Sequence, residues 1–225
     1  EMSASLVGSE MCIRDSKYPV EQVATPEGYA RNPELVINFY NERRKQLLDV
    51  VPNAGHLGVA DLERDFNVTV VTQNVDNLHE RAGSTHVIHL HGELTKVCSS
   101  RDPYNPHFVK ELAPEEYEVK LGDKAGDGTQ LRPFIVWFGE SVPEIETAIR
   151  YVEQADIFVI IGTSLNVYPA AGLLNYVPRA AEVYLIDPKP VDTHVMRPIH
   201  VIQKGASEGV KELKALLTVT QPPLP

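Results

Sequence analysis

Short apolar strands alternate with helix-forming segments along most of this chain of 225 residues. The clearest strands are Val68–Thr72, which is rich in β-branched residues, and Ile157–Ile161, which is apolar throughout. Strands of this kind are typically buried on both faces, and helices between them return the chain to the same end of the sheet. The sequence therefore predicts an α/β fold with a parallel sheet and helices on both of its faces.

Local signals set the ends of several of these elements. Asn32 followed by Pro33 is typical of a helix start, since Asn caps the first turn and Pro fits the first helical position. Asn53 is the predicted cap of a second helix, and Gly83 is expected to end a short one in the left-handed conformation. The predicted helices cover 33–48, 53–65, 77–82, 144–154, 170–177 and 207–217. The predicted strands cover 68–72, 87–90, 135–138, 157–161, 182–186 and 200–202.

Three segments do not follow this alternation. Residues 1–16 show neither helical nor strand periodicity, and we interpret them as a leader that is disordered or not native, such as a translated sequencing adapter. Residues 92–134 are polar and contain several Gly, Asp and Pro residues, which predicts an insertion with irregular structure and short strands. Residues 219–225 are expected to form a disordered tail.

Composition narrows the classes of partner. The net charge of −10 argues against nucleic acid, because phosphate binding requires a basic surface. The longest apolar stretch is too short to cross a bilayer, and the first residues do not resemble a signal peptide. Two cysteines, Cys12 and Cys98, are too few for a disulfide framework. These features favour a cytoplasmic protein that binds neither nucleic acid nor a membrane, and we expect a monomer.

Polar clusters follow three of the predicted strands, at residues 72–77, 89–92 and 162–164. The carboxyl ends of parallel strands meet at one edge of a sheet, so these clusters predict a small-molecule site. Each also has a structural interpretation, either as a helix cap or as a hydrogen-bonded core histidine. His89 and His91 form an H-x-H pair, but no nearby carboxylate or Cys pattern would complete a metal site, which disfavours zinc. The phosphate-binding pattern G-x-G-x-x-G is absent, which argues against a conventional dehydrogenase.

The clusters belong to longer motifs that occur in a recognisable order. Residues 72–83 read TQNVDNLHERAG and residues 89–93 read HLHGE, and these are followed by VWFGE at 136–140, GTS at 162–164 and VYPA at 167–170. Together they resemble the signature of the sirtuin family over about residues 17–217. The resemblance implies a Rossmann-like NAD domain, here 51–91 and 135–218, and a small domain formed by insertions. That small domain would contain a helical part, 17–50, and the remnant of a zinc module, 92–134.

The same resemblance implies a role for individual residues. His91 would be the general base, with Asn74 as a second catalytic residue. The residues that bind NAD would be Gln73, Asn74, Asp76, Gly162, Thr163, Ser164, Asp187 and Ala206. The residues that hold the substrate peptide would be Val136, Phe138, Gly139, Glu140, Val167 and Tyr168. Proteins carrying acylated lysine are the implied partners, and the products would be free lysine, nicotinamide and O-acyl-ADP-ribose.

A Y-x-x-R pair on the first long predicted helix refines the implied substrate. Tyr40 and Arg43 are three residues apart and therefore share a helix face. The pair resembles that of sirtuins that remove succinyl and malonyl groups, in which the hydroxyl and the guanidinium hold the acyl carboxylate. The structural alternative is a half-buried tyrosine beside a solvated basic stripe. We predict desuccinylase and demalonylase activity alongside deacetylation.

Two features depart from the family pattern. Sirtuins usually hold structural zinc with two pairs of cysteines, whereas only Cys98 follows His91 here, so we expect no zinc. Sirtuins also open with a strand and a glycine-rich phosphate loop, which should precede residue 17 and is not found there. From this departure we expect the central strand to be lost and the chain to hold NAD poorly.

Two alternatives to a deacylase remain open at this stage. A mono-ADP-ribosyltransferase would use the same cleavage of NAD with a different acceptor, although an acyl-carboxylate clamp at Tyr40 and Arg43 would then have no purpose. A non-catalytic module that binds NAD or ADP-ribose is the second alternative. The presence of both His91 and Asn74 argues against such a module.

Overall fold

A computed structural model of the chain describes residues 2–6, 18–162, 170–190 and 197–220. The first half of this part contains β1 (Met2–Leu6), α1 (Val20–Val23), α2 (Pro26–Arg31), α3 (Pro33–Asp49), α4 (Ala54–Leu62), β2 (Val68–Thr72), α5 (Leu78–Ala82), β3 (Val87–His89) and β4 (Gly92–Ser99). The second half contains β5 (Lys110–Glu111), β6 (Leu131–Ile135), α6 (Ile145–Val152), β7 (Ile157–Ile161), α7 (Ala170–Leu173), β8 (Glu182–Ile186), β9 (His200–Ile202) and α8 (Ala206–Thr220). Short 3-10 turns occupy 106–108, 114–116 and 174–176.

A six-stranded sheet forms the larger part of the fold, in the order β3-β2-β1-β7-β8-β9. Every neighbouring pair in this sheet is parallel. From β1 the order continues through β2 to β3 on one side, and from β7 it continues through β8 to β9 on the other side. The border between β1 and β7 is the switch point at which open α/β sheets bind ligands. The predicted α/β fold with a parallel sheet is confirmed.

Helices cover both faces of the sheet, which explains why its strands are apolar throughout. On one face, Val59 and Leu62 of α4 and Leu213 of α8 pack with Val70 and its neighbours in the sheet. On the other face, Val71 packs with residues of α6 and α7. Val70 and Val71 are adjacent and face opposite cores, as the period of two in a strand requires.

A smaller unit consists of α1 to α3 and an antiparallel sheet with the order β5-β4-β6. Its core joins Phe39 and Tyr40 of α3 to Leu94 of β4 and to Trp137. The buried Arg44 connects helix α3 to the inserted segment. Its guanidinium donates to the carbonyl oxygens of Tyr117 and Leu94, and also to Asn41 of its own helix. The insertion was predicted to have irregular structure with short strands, and the short strands are present as the paired strands of this sheet.

The predicted strand over 135–138 is wrong. The strand in this region is β6, Leu131–Ile135, and it pairs with β4 in the small sheet. After Ile135 the chain turns, because Gly139 has a φ of 89° and the Trp137 N–H donates to the side chain of Glu140 instead of to a strand. The apolar run from Ile135 to Phe138 is thus divided between a strand and a turn.

The expectation that the first sixteen residues contain no strand, and that the central strand is lost, is also wrong. Met2–Leu6 forms β1, which pairs with β2 on one side and with β7 on the other. Backbone hydrogen bonds satisfy a parallel ladder whatever the side chains are, so a gap between two strands accepts an extended segment with little strand pattern. Residues 7–17 lie outside the described residues.

The final helix is longer than predicted at both ends. Helix α8 reaches Thr220, so residues 219 and 220 are helical and do not belong to a disordered tail. The rest of the predicted tail, residues 221–225, lies outside the described residues. Among the helices that the structure describes, none is both long and apolar enough to cross a bilayer.

Candidate active site at the carboxyl edge of the sheet

The predicted cofactor residues follow the strands of the large sheet at the same edge. Gln73 and Asn74 follow β2, His91 lies two residues after β3, Gly162 follows β7 and Asp187 follows β8. Because all six strands are parallel, these positions share the carboxyl edge. Strand β1 stands between the β2 and β7 ends, so the site spans the switch point of the sheet.

His91 is held in a defined tautomer. Its Nδ1 lies 3.0 Å from the carbonyl oxygen of Gln73. A carbonyl oxygen only accepts hydrogen bonds, so Nδ1 carries the hydrogen and Nε2 keeps its lone pair in the neutral ring. Burial lowers the pKa of His91, and the bond to Gln73 opposes this only in part. The ring is therefore neutral at physiological pH, and the lone pair of its Nε2 is able to accept a proton.

Gly92 directs the chain away from His91 into the small sheet. Its φ is 80°, and a Cβ placed on it would lie 2.2 Å from the carbonyl oxygen of Phe134. Only glycine fits this position without strain, because the left-handed conformation and the close backbone both exclude a side chain. The carbonyl oxygen of His91 accepts a bond of 2.9 Å from the Val136 N–H. His91 is thereby fixed between the loop after β2 and the segment that begins at Val136.

The loop after β2, residues 73–77, is braced from several sides. The Asn74 N–H donates to Thr72 Oγ1 at 3.0 Å, and the buried carboxylate of Asp76 accepts from the Leu78 N–H at 3.1 Å. Asp76 thus satisfies the first N–H of α5, although the N-cap residue of that helix is Asn77. Gln73 Oε1 and Asn77 Oδ1 are buried acceptors without a hydrogen-bond partner in the described structure. Such atoms are costly to bury unless a ligand or water satisfies them.

His89 differs from His91 in both of its partners. Its Nε2 lies 2.7 Å from the carboxylate of Glu80 on α5, and its Nδ1 lies 3.2 Å from the carbonyl oxygen of Asn74. Burial lowers the pKa of His89, but the bond and charge of Glu80 outweigh it and leave the pKa raised. Of the two interpretations of the H-x-H pair, the hydrogen-bonded core histidine is correct for His89. Across the described residues, no group of three or more His, Cys, Asp or Glu side chains is placed to hold a metal ion.

The far side of the site is only partly described. Gly162 has a φ of 63°, and its N–H donates to the carbonyl oxygen of Ile186 at 2.8 Å. Asp187 is buried at the end of β8 and accepts from the Lys189 N–H at 2.8 Å, while Ala206 is the first residue of α8. The remaining predicted residues on this side, Thr163, Ser164, Val167 and Tyr168, lie outside the described residues.

The predicted substrate segment, residues 136–140, forms a turn beside His91. Four of its five backbone N–H groups donate within the protein, to His91, Glu140, Ala24 and Trp137. The carboxylate of Glu140 is fully engaged, because it binds Arg132 through two bonds of 2.7 and 3.0 Å and accepts the Trp137 N–H at 2.8 Å. Phe138 is 65% exposed, so its side chain is accessible on the surface of the turn.

Tyr40 and Arg43 contact different neighbours. Tyr40 is only 2% exposed, so the structural alternative of a half-buried tyrosine is wrong, and its Oη accepts the indole N–H of Trp137 at 3.0 Å. The guanidinium of Arg43 lies 5.1 Å over the ring of Phe39 and donates to Gln46 at 3.1 Å. Trp137 and Arg132, which stacks on it at 3.6 Å, were missed by the sequence analysis. The single tryptophan of the chain, between an arginine and a glutamate, was the available signal.

A polar cluster lies beside the small sheet, in the segment predicted to be the remnant of a zinc module. Ser99 Oγ donates to Asp127 at 2.7 Å and lies 2.9 Å from Thr129 Oγ1. It also accepts the N–H groups of Arg101 and Asp102. Cys98 is fully buried, and burial raises the pKa of its thiol to about 12.

Comparisons with known proteins find relatives over most of the chain. Residues 15–169 match the model of the Sir2 family. An NAD-dependent protein deacylase of Bacteroides thetaiotaomicron is 84% identical over 201 residues, which cover 89% of this chain and 86% of that protein. Another from Helicobacter pylori is 46% identical over 196 residues, covering 87% of this chain and 83% of that protein. The structure of a Sir2 homologue in complex with NAD has a TM-score of 0.78 and 31% identity, covering 97% of this chain and 88% of that one.

Proposed function

Because this chain belongs to the Sir2 family, we propose that it is an NAD-dependent protein deacylase that acts on acylated lysine side chains. The observation that carries this proposal is the geometry of His91. The Gln73 carbonyl holds Nδ1–H and burial keeps the ring neutral, which leaves Nε2 to accept a proton. We assign to His91 the role of general base.

The residues around His91 fit the nicotinamide half of NAD. Gln73 Oε1 is a buried acceptor without a protein partner, and a carboxamide has N–H groups that can satisfy it. Asn74 and Asp76 belong to the same braced loop, and we assign them with Gln73 to the nicotinamide and its ribose. When bound, NAD supplies an ADP-ribosyl group and nicotinamide as its leaving group. The adenosine side is assigned to Gly162, Thr163, Ser164, Asp187 and Ala206.

The acyl group is assigned by the chemistry of Tyr40 and Arg43. An indole N–H only donates, so the bond from Trp137 leaves the proton of the Tyr40 hydroxyl for another acceptor. Burial raises the pKa of Tyr40, so the hydroxyl stays protonated. The Arg43 guanidinium adds a charge and a planar fork that suits a carboxylate. We assign succinyl- and malonyl-lysine as substrates beside acetyl-lysine, and contact with Tyr40 then requires a local opening of the side chains that cover it.

The general base is tested with NAD and an acetylated or succinylated peptide, by following the peptide mass and the release of nicotinamide. His91→Ala should remove most deacylation and leave thermal unfolding nearly unchanged. His107→Ala is the matched control, because His107 is an exposed histidine outside the site. Deacylation that survives His91→Ala would falsify the assignment. Transfer of labelled ADP-ribose to protein without loss of peptide mass would instead identify an ADP-ribosyltransferase.

The acyl preference is tested with Arg43→Met. Loss of a charge-assisted bond of about 1.5–3 kcal/mol should lower kcat/KM for the succinylated peptide roughly tenfold to a hundredfold and leave the acetylated peptide little changed. Lys45→Met is the control, since it removes an exposed cation from the same helix. Equal losses on both peptides would show that Arg43 does not recognise the acyl carboxylate.

A further inference from the structure

Two histidines hold two successive carbonyl groups of the loop after β2. The Nδ1 of His91 lies 3.0 Å from the carbonyl oxygen of Gln73, and the Nδ1 of His89 lies 3.2 Å from that of Asn74. The two rings therefore hold the loop through two successive carbonyls at the point where it leaves the sheet.

The partners of His89 require both of its ring nitrogens to donate. The carbonyl oxygen of Asn74 can only accept, and the carboxylate of Glu80 can only accept when it is ionised. The Glu80 carboxylate lies 2.7 Å from Nε2, and Glu93 adds a second negative charge in the vicinity. His79 is the other titratable group that interacts with His89, and burial holds its pKa at about 4, so it adds no positive charge at neutral pH. His89 is thus an imidazolium, whereas His91 is neutral.

Glu80 connects this contact to the far end of the loop. It lies on α5, the helix that begins directly after the loop, and the carboxylate of Asp76 accepts the N–H of Leu78, the first residue of that helix. Asn74 is thus connected to Glu80 twice, through the backbone of the loop and through the ring of His89, which contacts both residues. A shift of the Asn74 backbone would break the charge-assisted bond between His89 and the Asn74 carbonyl.

We infer that His89 is a positioning residue, which holds the Asn74 backbone through Nδ1–H so that Asn74 and His91 keep a fixed mutual arrangement. The inference rests on the proposed function in that both residues then act in one reaction. Small displacements of catalytic groups are expensive, since about 1 Å of misplacement can cost roughly a hundredfold in rate. The ion pair with Glu80 keeps the ring protonated and aligned.

Two amide substitutions separate the contact with Asn74 from the contact with Glu80. The side-chain amide of Asn lies close to the position of Nδ1, and that of Gln lies close to Nε2. His89→Asn therefore retains the bond to the Asn74 carbonyl and loses Glu80, whereas His89→Gln retains Glu80 and loses Asn74. Steady-state kinetics of nicotinamide release and thermal unfolding are measured for both variants.

The positioning role predicts that activity and stability separate. His89→Gln should lower kcat by about tenfold or more, with the KM for the peptide within about twofold, because the loop is assigned to the cofactor and not to the peptide. His89→Asn should keep kcat within about threefold of the unmodified protein. The inference is overturned if His89→Gln keeps full kcat, or if kcat in both variants simply follows the melting temperature.

A measurement without turnover tests the same contact. Nitrogen-15 chemical shifts of labelled histidine should show both His89 nitrogens protonated at pH 7.5, and Glu80→Gln should shift this titration to lower pH. A neutral His89 ring at pH 7.5 would overturn the inference. If the protein releases no nicotinamide at all, the proposed function fails, and the spectrum still reports whether His89 holds Asn74.

Discussion

Replacing Glu140 with Gln leaves the guanidinium of Arg132 without a counter-charge inside the protein. The two side chains are joined by bonds of 2.7 and 3.0 Å, and Arg132 also donates to the carbonyl oxygen of Ile135 at 2.7 Å. The guanidinium lies 3.6 Å from the centre of the Trp137 ring, which in turn donates to Tyr40. The perturbation therefore acts on the turn beside His91 and on the side chain assigned to the acyl group.

The magnitude follows from the burial of the pair. The side chain of Arg132 is 4% exposed and that of Glu140 is 13% exposed. Removing one partner of a buried ion pair typically costs about 3–5 kcal/mol, because the remaining charge stays desolvated. Gln keeps the volume and one acceptor oxygen, so we expect the lower end of this range, about 3 kcal/mol of unfolding free energy. With a urea slope of about 3 kcal/mol per molar, the midpoint should fall by about 1 M.

The assay is urea unfolding of the unmodified protein, Glu140→Gln and a matched control. Glu212→Gln removes the same charge from a pair with Lys204 whose side chains are 39% and 51% exposed, and exposed pairs are worth about 0–1 kcal/mol. The double change Arg132→Met with Glu140→Gln should cost less than the sum of the single changes, because it leaves no lone charge. A loss for Glu140→Gln no larger than that of the control would refute the reasoning.

Four further predictions follow from the site and its surroundings. Gly92→Ala should lower the free energy of unfolding by about 2–4 kcal/mol and remove most turnover, because its Cβ would lie 2.2 Å from the Phe134 carbonyl oxygen. Near-normal activity would contradict this. The acid limb of the kcat/KM profile should have an apparent pKa below 6.5, since burial lowers the pKa of His91; a limb at pH 7 or above would be inconsistent with His91 as the base. The free energy of unfolding should fall as the pH drops from 6.5 to about 4, by up to about 1.4 kcal/mol per pH unit. The reason is that His79 binds a proton near pH 6.5 in the unfolded chain, whereas in the folded protein burial lowers its pKa to about 4. His79→Phe should flatten this slope when unfolding is measured as a function of pH. Metal analysis should find no stoichiometric zinc, and one zinc per chain would refute that expectation.

Elements with local signals were predictable from the sequence. Asn32 does accept the Leu35 N–H and Asn53 caps α4, so both helix starts were correct. Gly83 ends α5 with a φ of 106°. The apolar strands β2, β7 and β8 were placed correctly because burial on both faces demands a continuous apolar run. These signals lie within a few residues of the feature that they specify.

Elements that depend on distant partners were not predictable. The strand β1 exists because β2 and β7 leave a parallel gap between them, and the sequence of residues 2–6 carries little of that information. The position of β6 depends on its pairing with β4, more than thirty residues earlier in the chain. The contact of Tyr40 with Trp137 joins residues 97 positions apart. The pattern of apolar and polar residues within a short segment does not indicate which distant segment it will contact.

The two histidines at the end of β3 show the same limit at the level of chemistry. His89 is the last residue of β3 and His91 lies two residues after it, and each gives its Nδ1–H to a carbonyl of one loop. Only the second nitrogen differs, because Glu80 faces Nε2 of His89 and thereby fixes its charge. A base must keep a lone pair, so of the two rings only His91 can accept a proton at neutral pH. The difference in charge between His89 and His91 therefore depends on one carboxylate, that of Glu80 on helix α5.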